Sequence, residues 1–94
     1  MLFRSAHLYL GRLAARDGKF DAALAEYAIS LRIRPRNAEA LAEVGTAHLA
    51  RREYPRALAA LEEAIRIDPR NFRANSDLLR VYQATVDPRL RGQD

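Results

Sequence analysis

Cysteine is absent from this 94-residue chain, and so is tryptophan. The first absence excludes disulfides, thiolate nucleophiles and Cys-ligated zinc. A domain this small without covalent staples suits the cytoplasm. The second, with aromatic residues at only 7%, excludes a bulky aromatic core. Lysine is nearly missing, since Lys19 is alone among sixteen basic residues. No apolar run comes near the roughly 18 residues of a membrane-spanning helix. The first ten residues hold no continuous apolar core, so a signal peptide is not expected. There is no Gly-rich phosphate loop, and no Ser stands in a nucleophile elbow, so an enzyme is not expected.

What remains is alanine-rich: 49% of residues are apolar and 30% charged, with a net charge of +4. The length fits one small domain. Fifteen of the sixteen basic residues are Arg. Arginine favours bidentate pairing with carboxylates or phosphates. Biased codon usage would equally account for its abundance beside that of Ala and Leu.

The dominant signal is a period of 34 residues. Comparing residues 4–37 with 38–71 gives ten identities, among them Gly11 with Gly45, Ala23 with Ala57, and Pro35-Arg36-Asn37 with Pro69-Arg70-Asn71. A fixed period of this size marks a solenoid of stacked supersecondary units. Apolar spacing of three and four predicts a first helix over 4–16, with Leu10, Leu13 and Ala14 on its inner face. Asp17-Gly18-Lys19 reads as a tight turn in which Gly18 is free to take a positive φ. A second helix follows from Phe20 to Ile33, and Pro35 stops it. The second unit repeats the plan, with helices over 38–51 and 54–67. Its turn, Arg52-Glu53-Tyr54, has no glycine, and Pro55 sits in a first turn where proline is tolerated. A third helix spans 72–86, Asp87-Pro88 ends it, and 87–94 reads as a polar tail.

These residues resemble the tetratricopeptide repeat. The carriers are His7, Leu10-Gly11, Ala14, Ala23, Tyr27, Ser30 and Pro35 in the first unit. Leu41, Val44-Gly45, His48, Ala57, Leu61, Ala64 and Pro69 carry it in the second, and Asn75, Leu78-Leu79 and Tyr82 in the third helix. Ser30 for Ala and Leu79 for a small residue depart from the family pattern. The resemblance implies an all-α solenoid over 4–86: two full units (4–37 and 38–71) and a capping helix (72–86), wound as a right-handed superhelix. It also implies a non-catalytic module that binds a peptide or partner helix in the groove lined by the first helix of each unit. Gly11, Ala23, Tyr27, Gly45, Ala57 and Leu61 are then the packing positions.

Carried onto this sequence, the family's groove positions give Ser5, Leu8, Tyr9, Arg12, Ala15 and Arg16 in the first unit. The second gives Glu39, Ala42, Glu43, Thr46, Leu49 and Ala50, and the third helix gives Arg73, Ser76, Asp77, Arg80, Gln83 and Ala84. Leu8, Tyr9 and Leu49 are expected as apolar anchors, and Tyr9, Arg12 and Arg80 as energetic centres. A family subset grips a chaperone's terminal carboxylate. Here Glu43 and Asp77 would oppose that by like charge, and only Arg73 fits well. His7 and His48 read as packing residues and not as metal ligands. Glu62 and Glu63 with Arg66 have the spacing of helix-surface ion pairs. Arg32, Arg34, Arg36, Arg66 and Arg70 would form a basic ridge, but Asp68 interrupts it and no aromatics interleave, so nucleic acid is not the expected partner. Leu79 and Tyr82 point to where a further second helix would lie. The chain therefore reads either as a piece of a longer array or as self-associating through an exposed end. No cofactor, metal or membrane partner is implied.

Overall fold

The computed structural model describes residues 2–86, with side chains from Ala6 onward. The tail over 87–94 and the side chain of Ser5 lie outside the described residues. Within them the chain is all-α: α1 (Leu2–Arg16), α2 (Phe20–Ile33), α3 (Ala38–Ala50), α4 (Tyr54–Ile67) and α5 (Phe72–Val86). None of these helices is long and apolar enough to cross a membrane.

Each helix boundary has a local cause. Pro35 and Pro69 stand just beyond α2 and α4, and the next helix then starts on a side-chain cap. Asn37 Oδ1 accepts from Ala40 N at 3.1 Å, and Asn71 Oδ1 accepts from Ala74 N at 2.8 Å. These caps satisfy amides that have no partner in a helix's first turn. Between α1 and α2, Lys19 N donates to Ala14 O at 2.9 Å, and Glu53 N donates to His48 O at 2.9 Å between α3 and α4. Both turns are closed by a residue in the left-handed region, Gly18 at φ 77° and Arg52 at φ 60°. The second turn therefore forces a side-chain-bearing residue into the conformation that glycine occupies in the first.

The helices pair as α1 with α2 and α3 with α4, and α5 lies against α3 and α4. Two apolar clusters hold the stack together. One joins Leu8, Ala23, Tyr27, Ala40 and Ala47, and the other joins Ala42, Ala57, Leu61, Ala64, Ala74 and Val81. Each cluster takes residues from one hairpin and from the first helix of the next unit, so burial is shared across the repeat boundary as in a solenoid. Within each hairpin a glycine sets the spacing. A Cβ on Gly11 would lie 2.3 Å from Tyr27 Cε1, and one on Gly45 would lie 2.4 Å from Leu61 Cδ2. The partner side chain occupies the volume a larger residue would need.

Leu10 does not face inward as its spacing predicts; it is 46% exposed. Its equivalents Val44 and Leu78 are half-buried against the cluster of the preceding hairpin. No preceding hairpin flanks α1 among the described residues, so the same register leaves Leu10 in solvent.

Candidate functional site on the face of α1, α3 and α5

The first helices of the three units lie side by side, and their shared face carries a cleft of about 460 Å³. Tyr9, Leu13, Ala15, Phe20 and Tyr27 form its apolar wall, and Arg12, Arg16, Glu43, Thr46 and Arg73 give it a polar floor and rim. A smaller hollow of about 210 Å³ continues along α5, bordered by Thr46, Phe72, Arg73, Ser76, Asp77 and Arg80. The first volume lies within the range of ordinary ligand clefts.

The floor is a ladder of polar links between successive units. Arg12 Nε donates to Glu43 Oε2 at 2.8 Å, from α1 to α3. The Thr46 hydroxyl donates to Asp77 Oδ2 at 2.5 Å, from α3 to α5. Both links span 31 residues, so the same rung recurs one unit further on. Arg12 Nη2 also donates to Glu39 Oε2 at 2.5 Å, and Arg73 Nε stands 3.4 Å from Glu43 Oε2. Glu43 and Asp77 are buried, and their charges are answered by these neighbours. Burial works against the charge on Arg12, but hydrogen bonds to Glu39 and then Glu43 outweigh it and raise its pKa further. Burial, reinforced by the Glu43 charge, pushes the Tyr27 phenol up to about 12.

Once these pairs are formed, an excess of positive charge faces the cleft. Arg16 is exposed and has no acidic partner among the described residues. Arg80 is 69% exposed along its side chain and only 3.9 Å from Asp77 Oδ1. Arg73 touches Glu43 through Nε, and its side chain is half exposed.

The chain matches the family model described as the tetratricopeptide repeat over residues 8–72. It belongs to that family. Its general role is accordingly protein–protein interaction. No curated protein matches the chain.

The carried-over groove positions divide in three dimensions. Tyr9, Arg12, Arg16, Glu43, Thr46 and Arg73 come together around the main cleft, and Asp77 and Arg80 border the smaller hollow. Leu8 is corrected: it is 6% exposed and belongs to the first core cluster, so it offers no surface anchor. Its equivalent Ala42 is likewise buried, because this edge of each first helix turns towards the neighbouring unit. Leu49 is also corrected, since it packs against the second cluster and borders neither hollow. Glu43 and Asp77 line the site as internal staples and not as free anions. Leu13 and Phe20 were missed as lining residues. Phe20 opens α2 directly after the turn, and counting positions on first helices alone passes over it. His7 and His48 each pair with a carboxylate, Glu26 and Glu53 respectively, at 2.7 Å. Among the described residues no three His, Cys, Asp or Glu side chains gather to hold a metal ion. Arg66 of the expected basic ridge pairs with Glu63 at 2.7 Å.

Proposed function

We propose that the face of α1, α3 and α5 docks a short segment of a partner protein, with an apolar residue in the cleft and acidic residues along its rim. The observation that carries this reading is the division of labour in the cleft. Its carboxylates are satisfied by internal links, whereas Tyr9, Arg16 and Arg80 face outward and have little else to hold. Tyr9, 60% exposed beside Leu13 and Phe20, supplies a rigid aromatic surface of the kind that anchors interfaces. Arginine at the rim selects carboxylates and raises the rate of encounter more than it deepens affinity.

The test is selection of peptides from a random displayed library on the folded chain, followed by titration of the strongest binder. The enriched peptides should carry Asp or Glu near a large apolar residue. Replacing Tyr9, Arg16 and Arg73 together by Ala should weaken binding at least about tenfold, since each such contact is worth on the order of 1 kcal/mol. Far-UV circular dichroism should stay unchanged. Equal binding by the triple variant would discard the groove assignment.

A further inference from the structure

A second surface lies on the opposite side of α5 from the cleft. Phe72, Leu79, Tyr82 and Val86 are 83%, 57%, 45% and 67% exposed, and their spacing places them on one stripe of the helix. On usual side-chain areas they present roughly 400 Å² of apolar surface, the size of patch that on a monomer is often functional. The residues flanking it, Asn75, Ser76, Gln83 and Thr85, are uncharged. The charged residues of α5, Arg73, Asp77 and Arg80, border the cleft or its extension instead.

Leu79 indicates what can cover this stripe. It holds the place that Gly11 and Gly45 hold in the earlier units, 34 residues on from Gly45. At those glycines the mating helix comes so close that an added Cβ would lie 2.3–2.4 Å from its Tyr27 or Leu61 side chain. A helix mating with α5 as α2 mates with α1 would collide with Leu79. The occupant must sit further out, at the 8–10 Å of ordinary helix packing, and offer room for a protruding leucine.

We propose that α5 of a second copy of this chain is that occupant, with the two stripes apposed about a two-fold axis. Such a contact is isologous, so each copy offers the same patch. The absence of charge around the stripe removes like-charge repulsion, and an antiparallel pair sets opposite helix dipole ends together. Two patches bury roughly 800 Å² in all, below the usual size of permanent interfaces, so the pair is weak and reversible. The inference does not depend on the groove reading, which uses the other side of α5.

Sedimentation velocity of the chain, at concentrations from roughly 10 to 500 µM, tests the pairing. The weight-average mass should rise from 10.6 kDa towards twice that value. Leu79→Glu should hold it at 10.6 kDa throughout. Val86→Arg provides an independent second variant, because a side chain 67% exposed at the end of the helix is replaced without disturbing the core. It should give the same result with an unchanged circular dichroism spectrum. A constant monomer mass for the parent would overturn the proposal. So would a mass increase that both α5 variants retain, or one abolished by Leu10→Glu alone, which would assign the contact to α1.

Discussion

The two hairpins share one plan and fill it with different chemistry. In the first, Gly11 receives the ring of Tyr27; in the second, Gly45 receives the branched end of Leu61. The first therefore buries a titratable phenol near Glu43, whereas the second is apolar at the same place. The first turns through a glycine and the second through Arg52. The repeat thus constrains volume and backbone geometry at these sites, and it leaves polarity and ionisation open.

The largest expected effect comes from breaking the close approaches. Gly11→Ala should destabilise the fold by about 2–3 kcal/mol, even after the helix-propensity gain of about 1 kcal/mol from alanine. Gly45→Ala should cost less, about 1–2 kcal/mol, because a leucine side chain gives way more easily than an aromatic ring. Urea denaturation midpoints of the two variants check both the direction and the order.

High pH should distinguish the hairpins next. The pKa of Tyr27 is about 12 when folded against an ordinary value of 10.0, so the folded chain keeps this proton more tightly than the unfolded chain. Its contribution is therefore fully present below pH 10.0 and lost as pH rises towards about 12. Up to about 2 kcal/mol is at stake. Tyr27→Phe should remove this part of the alkaline slope, and Leu61 substitutions should leave it in place; unfolding curves at pH 9 and 11.5 decide the matter.

The ladder of the cleft should follow. Glu43→Ala releases Arg12 and Arg73 together and should cost about 1–2 kcal/mol, with solvent screening of the half-exposed arginines limiting the loss. Thr46→Val removes the single hydroxyl link to Asp77 and should cost about 1 kcal/mol. Thermal melts at low and high salt should show the Glu43 effect shrinking with salt more than the Thr46 effect.

The smallest effects belong to the turns, and they have opposite signs. Arg52→Gly should stabilise the fold by up to about 1 kcal/mol by relieving a left-handed residue, offset in part by glycine's greater freedom when unfolded. Gly18→Ala should destabilise by about 1 kcal/mol. Two shifts of the same sign would show that the turns are not equivalent.

Helix positions were legible because period, proline and apolar spacing are local properties of the chain. The expected α2 and α5 match the observed ones, and α3 ends one residue earlier than its spacing suggests. Asn37 and Asn71 could have been read as caps, since asparagine directly before a periodic segment is a recognised helix start. The positions of Leu8 and Leu49 were not legible, because a residue at the edge of a helix face is exposed or buried according to what the neighbouring unit places beside it. The carboxylates of Glu43 and Asp77 present the same difficulty. Their role depends on Arg12 and Thr46, each 31 residues away, which only stacking brings within bonding distance.

The sequence by itself determined the repeat, the helices and the glycines that let them meet, since each follows from spacing along one chain. The tertiary structure decided which groups on the shared face are spent on one another and which stay turned to solvent. That outcome depends on distances between units, and no single unit contains them.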